Sequence, residues 1–174
     1  MIEVVARIRD ACDRKIKAMR RRPSLGRGTA VTQVRLLDGL ACEVREGPWR
    51  LLVDMSEQAG GGECGPNPGV LGRGAFGTCL AINCAMWAAR LDVPLASLDI
   101  EVQADYDARV EYGVENGHPG YSEVRYVVTV ASDAPEDDVM RVLDAAEAHA
   151  SYIDVFRRPI ALRREVRVQP VEAI

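Results

Sequence analysis

Histidine, basic charge and long apolar runs are all scarce in this chain, and each shortage excludes a class of protein. Only two histidines, His118 and His149, occur in 174 residues, and both are isolated. Cys79 and Cys84 lie five residues apart in a helical pattern, about 140° round and 7–8 Å along, which is poor geometry for one metal ion. No metal site is expected. A dedicated nucleic-acid binder needs a basic field, whereas this chain carries a net charge of −4 with a pI near 5.3. The most apolar stretch offers about 16 residues between Arg73 and Arg90 and contains Asn83, short of the roughly 20 that a membrane span requires. The N-terminus opens on a charged amphipathic segment, where a secretory leader would be apolar. Five cysteines, an odd number without repeated spacing, read as free thiols in a reducing cytoplasm. The expectation is a cytoplasmic protein with one sizeable core and with neither nucleic acid nor membrane as partner.

Two glycine motifs are also missing. No Gly-Lys-Ser/Thr follows the glycine-rich stretch, so it is no P-loop. No strand feeds the Gly72–Gly77 run and no acidic residue ends a following strand at the right distance, so no dinucleotide site is expected. The sequence gives no sign of a cofactor.

What is present is organised around Cys64-Gly65-Pro66-Asn67-Pro68 and the segment after it, through Cys79 to Leu91. This is a glycine- and proline-rich loop running into the one segment that is apolar nearly all the way round, a pattern that predicts a buried central helix. Before it, Ile2, Val5, Ile8, Cys12, Ile16 and Met19 recur at spacings of three and four. They predict an amphipathic helix over 2–21, ended by Pro23 after a basic last turn, Arg20 to Arg22. That run reads as a solvated helix end, with a phosphate site as the alternative.

From Thr29 the period becomes two, predicting strands over Val31–Leu37, Leu40–Arg45 and Trp49–Met55, with turns at Asp38-Gly39 and Gly47-Pro48. Residues 56–69 lose all periodicity. Gly60, Gly61, Gly62 and Gly65 mark that loop as mobile or closely approached by backbone. After Pro94 two alternating strands follow, around Leu98–Ala104 and Val124–Val130, separated by the Gly113–Gly120 turn. A helix starts at Asp133, Pro135 and Glu136 and buries Val139, Val142, Leu143 and Ala146. A final strand is expected over Ile160–Val168. Without strand–helix alternation the class is α+β, with residues 1–27 as a helical extension and 28–174 as the domain.

Of the cysteines, Cys12 and Cys42 sit in ordinary amphipathic patterns and read as structural. A thiol near a helix N-terminus is activated by the helix dipole and by nearby cations. Cys79 lies about two turns into the predicted helix, so the dipole reaches it only in part. Arg73 and Arg35 are the candidate cations. The plain alternative is that Cys79 and Cys84 are small buried apolar residues. If Cys79 is oxidised to sulfenic acid, Cys84 cannot pair with it across i,i+5. Cys64 on the loop is then the second thiol that the sequence offers.

The stretch GPNPGVLGRGAFGTCLAINCAMWAARLDVPLASLDIEVQADYD resembles the core of the osmotically inducible protein C / organic hydroperoxide resistance (OsmC/Ohr) family, and a weaker resemblance covers roughly residues 28–168. The resemblance implies sheets wrapped around a central helix in an intertwined homodimer, with two sites at the interface. It implies thiol-dependent reduction of organic hydroperoxides by Cys79, assisted by Arg35. It also shows two departures. Gly69 stands where the hydroperoxide branch has glutamate, and Ala150 aligns with the family's resolving cysteine, which places the chain in a branch lacking that thiol. Glu57 or Glu63 and Cys64 are the candidate replacements. The N-terminal helix lies outside the common core and would extend the dimer or cover the site. Two functions follow as expectations: a peroxidase using an external thiol as reductant, or a catalytically inactive relative that binds a small apolar ligand at the dimer interface.

Overall fold

The computed structural model describes residues 2–170. The elements run α1 (Ile2–Arg21), β1 (Gln33–Leu36), β2 (Cys42–Glu46), β3 (Trp49–Val53), α2 (Pro68–Leu91), β4 (Ser97–Asp105), α3 (Ala108–Glu111), β5 (Glu123–Ala131), α4 (Glu136–His149) and α5 (Ser151–Arg157). Short 3-10 turns lie at Pro23–Gly26 and Glu57–Ala59. The fold is α+β, as the sequence indicates.

Helix α2 begins where its chemistry says it should. Pro68 occupies the first turn, where its missing N–H costs nothing, and the Asn67 side chain accepts from the Val70 N–H at 3.1 Å. Its buried stripe of Phe76, Leu80, Cys84 and Ala88 recurs every four residues. Around that stripe close Ala146 of α4, Ala150 between the last two helices, and Ile153 of α5. The hairpin of β4 and β5 covers another side, presenting Leu98, Ile100, Val102, Tyr126 and Val128 inward and the alternate residues outward. Gly77 makes the close approach feasible: a Cβ there would lie 3.3 Å from Val102 Cγ2. α1 rests on the C-terminal half of α2 through buried Cys12. Arg9 also donates to the Ala89 carbonyl at 2.6 Å and pairs with Asp92.

Strands β1, β2 and β3 form a separate antiparallel meander. Among the described residues it packs on no helix to any extent. Val34, Leu36, Trp49, Leu51 and Leu52 are all exposed.

One predicted element is absent. Residues 158–170, including the expected strand Ile160–Val168, form no regular structure, and the preceding segment turns into α5. A strand exists only when its N–H and C=O groups pair with a neighbour, and among the described residues no strand pairs with the segment. Leu162 and Val168 stand 94% and 90% exposed. The first three strands are likewise shorter than their alternation suggests.

Candidate active site around Cys79

Cys79 lies in the twelfth position of α2, about three turns from its start. The dipole therefore reaches it less than the sequence suggests. Half-buried, it packs against the cluster of Phe76, Leu80, Ala150 and Ile153. Its sulfur faces Ser151 Oγ at 3.6 Å, and the Asn83 amide stands 3.8 Å away. The same Asn83 Nδ2 donates to the Cys79 carbonyl at 2.9 Å, which fixes its orientation one helical turn on. A thiolate here would meet two neutral donors.

The side chain opposite Cys79 is thus Ser151. Ala150, the position expected to correspond to the resolving cysteine, is the extended residue linking α4 to α5 and is buried among the core residues. Ser151 opens the next helix and turns its hydroxyl to the sulfur. The outcome for chemistry is the same, because neither position carries a thiol. This gives a direct prediction. With Ser151→Cys, a hydroperoxide-formed sulfenic acid on Cys79 would meet a thiol in contact and condense to a disulfide with loss of water. One equivalent of cumene hydroperoxide should then consume two thiols per chain, where the native protein loses one; a dithionitrobenzoate count reads the difference.

The sequence-derived helpers are dispersed within the chain. Arg73 turns away from Cys79 and donates to the Tyr121 hydroxyl at 3.1 Å. Arg35 projects from exposed β1 and has no contact with the sulfur. Its cross-strand neighbour Glu43 is already claimed by Arg45 and by Arg50, the latter at 3.4 Å, and the hydrogen bond from Arg45 holds the Glu43 carboxyl below its ordinary range. Arg35 makes no ion pair among the described residues.

Cys64 and Glu63 belong to a loop built around a buried carboxylate. Asp54 accepts from the N–H groups of Met55 (2.7 Å), Gly62 (2.9 Å) and Cys64 (3.3 Å). Burial alone would raise its pKa, but these three donors outweigh burial and hold it low. The chain passes so close here that a Cβ on Gly61 would lie 2.0 Å from the Met55 oxygen, and one on Gly65 2.3 Å from the Leu52 oxygen. Close backbone approach, the second of the two sequence readings, therefore accounts for these glycines. Glu63 spends its carboxylate on the Glu57 N–H at 3.4 Å, and neither Glu57 nor Glu63 touches Cys79. The Cys64 thiol is pushed up by its hydrogen bond to Asp54, with burial and the carboxylate charge adding to it. Its thiolate fraction falls accordingly. Asp54→Asn removes that charge, so Cys64 should alkylate faster with iodoacetamide at pH 8; an unchanged rate would separate the two groups.

Two of the other thiols, Cys84 and Cys12, are inert by placement. Cys84 is fully buried, and burial followed by the charge of Glu147 pushes it up to about 11. Cys12 is buried and Cys42 lies half-buried in β2.

One turn of α2 before Cys79, Phe76 meets Tyr126 and Phe156 with ring centroids 5.2 and 5.3 Å apart, and Tyr121 stacks on Phe156 at 6.5 Å. These four rings line a half-open cavity of about 430 Å³ together with Ser122, Glu123, Val124, Ile153 and Arg157. Burial, then the hydrogen bond to Glu147, pushes the Tyr126 phenol up to about 12. Sequence reasoning missed Ser151, Asn83 and this aromatic wall. Asn83 alone left a local signal, a polar residue four places after Cys79 in an otherwise apolar stretch.

Among the described residues no helix is long and apolar enough to cross a membrane, and no acidic, cysteine and histidine side chains gather as a metal would require. A long helix wrapped by a hairpin and two short helices, with one half-buried cysteine facing a serine, defines an α+β protein of the cysteine-bearing central-helix class. A family model described as OsmC-like protein matches residues 60–165, and the chain belongs to the OsmC-like family. Solved structures agree at the level of fold. An OsmC-like protein from Mycoplasma pneumoniae superimposes with a TM-score of 0.65 at 11% identity, covering 75% of this chain and 88% of that one. The organic hydroperoxide resistance protein OsmC from Legionella pneumophila gives 0.54 at 14% identity, covering 75% and 90%. An OsmC-like hydroperoxide resistance protein from Jannaschia gives 0.50 at 16%, covering 80% and 93%. No curated protein sequence matches the chain.

Proposed function

We propose that the protein is a homodimeric, cysteine-dependent reductase of organic hydroperoxides in which Cys79 is the redox-active thiol. The observation that carries this reading is the setting of Cys79: it alone among the five thiols is half-buried on the central helix between two neutral donors. Family membership and the hydroperoxide-resistance names of two structural relatives support the chemistry. In the proposed step the Cys79 thiolate attacks the distal oxygen of the peroxide. The S–O bond forms as the O–O bond breaks, giving sulfenic acid and an alkoxide that takes up a proton. One external thiol then displaces water from the sulfenic acid to form a mixed disulfide. A second thiol releases Cys79, so each hydroperoxide is reduced to an alcohol as two external thiols are oxidised to a disulfide. Cys64 takes no part, because its hydrogen bond to Asp54 lowers its thiolate fraction.

Three bare surfaces support the dimer. The meander of β1 to β3 has no helix behind it, residues 160–168 have no strand to pair with, and α2 leaves Gly74, Thr78, Ile82 and Ala85 exposed along one side. A second copy with its own α2 against this stripe would cover all three. It would also bring the unpaired Arg35 of one copy toward Cys79 of the other, where a guanidinium stabilises both thiolate and leaving alkoxide. Residues 1–27 would remain an extension outside this arrangement, its helix α1 resting on the far half of α2, and the reducing cytoplasm would supply the thiol.

The test is consumption of cumene hydroperoxide with dithiothreitol as reductant. Turnover well above the rate with dithiothreitol alone is expected, and a rate equal to that background would refute the proposal. The aromatic cavity favours a second reading, a non-catalytic protein that holds an apolar ligand, which the same assay separates.

A further inference from the structure

We infer that Arg73, steadied by Tyr121, forms a subsite for the carboxylate of a small amphipathic acid in the groove beside α2. Three observations meet there. Arg73 is half-buried and is the only charged residue of a groove of about 390 Å³, walled by Val70, Gly74, Gly77, Ile100 and Val102. Its guanidinium has five N–H donors, yet its one hydrogen bond among the described residues is to the Tyr121 hydroxyl, and it has no ion pair. A Cβ on Gly69 would crowd Arg73 Nη1 at 3.0 Å, Asn67 Oδ1 at 3.2 Å and Tyr121 Oη at 3.4 Å, so the guanidinium is packed closely over the glycine and held at the mouth of the groove.

A lone guanidinium against apolar walls gains more from an anion than one in bulk water does, because the local dielectric is low. Its planar fork matches a carboxylate, and Tyr121 steadies it, its hydroxyl accepting from Arg73 and donating to the Gly69 carbonyl at 3.4 Å. The uncharged remainder of the groove supplies no second cation, which fits one carboxylate on an apolar body better than a polyanion. Gly74 and Thr78 belong both to this groove and to the bare stripe of α2, so in the dimer the second copy would roof it into a cleft. The subsite is read out by binding and stands whether or not Cys79 turns over.

Calorimetric titration of the protein with octanoate and with 1-octanol tests this. Octanoate should bind more tightly than octanol. Arg73→Gln should weaken octanoate by about tenfold to a hundredfold, the size of one charge-assisted contact, while leaving octanol unchanged. Gly69→Glu gives an independent arm: a carboxylate four residues before Arg73 on the helix pairs with it and should exclude octanoate, while octanol binding by the same variant shows that the groove is intact. Equal affinity for acid and alcohol would overturn the subsite, as would octanoate binding that survives both substitutions, or no octanoate binding to the native protein.

Discussion

Replacing Cys79 by serine should lower the rate of cumene hydroperoxide consumption on the order of a thousandfold or more, the scale seen when a nucleophile is removed from a preorganised site. A serine hydroxyl does not ionise at neutral pH and cannot carry a transferred oxygen through a sulfenic state. The fall should be this steep because no other cysteine shares the setting of Cys79. Cys84 is sealed in the core with its pKa near 11, Cys12 is a buried residue of α1, Cys42 lies in β2 away from the central helix, and Cys64 is tied to the Asp54 carboxylate. A Cys79→Ser protein that retains more than a tenth of the rate would move the chemistry to another residue.

The second large effect concerns assembly. Ile82→Arg should convert the protein from dimer to monomer, weakening association by roughly a hundredfold or more, since the proposed interface would have to bury an unpaired charge. Ile82 is 60% exposed in one chain although it sits mid-way along the most apolar helix. Its neighbours on the stripe, Gly74, Thr78 and Ala85, are small enough for a second helix to lie close. Sedimentation velocity at micromolar concentration reads the change, and the native protein's melting temperature should rise with concentration, as it does when folding and association are linked. A monomer would also lose the Arg35 of its partner, so hydroperoxide turnover should fall with the dimer. A native protein that sediments as a monomer would remove both expectations.

The central helix was legible because its signals are local. Asn67-Pro68 starts it, an unbroken apolar segment fills it, and Val93-Pro94 follows its end. The β4–β5 hairpin was legible for the same reason, since its alternation records one wet face and one buried face. Elements that depend on distant partners were not. Ile160–Val168 alternates as a strand should, but alternation specifies a face and not a neighbour, and no neighbour exists within one chain. The meander was correctly read as strands, yet nothing in its pattern showed that its apolar residues would find no core here. At the site, Cys79 could be placed from its motif and its depth in the helix approximately. Ser151 could not, because the break between α4 and α5 at Ala150 shifts the facing side chain by one residue. Arg73 was expected to serve Cys79, and its true partner, Tyr121, lies 48 residues away in sequence.

In the proposed reaction Cys79 is the thiol that meets the peroxide. Peptide mass spectrometry of the reduced native protein after one equivalent of cumene hydroperoxide, with dimedone present to trap sulfenic acid, tests that most directly. The dimedone adduct should appear on Cys79 alone, with Cys64 and Cys84 unmodified; an adduct on Cys64, or none on Cys79 after the peroxide is consumed, would contradict it.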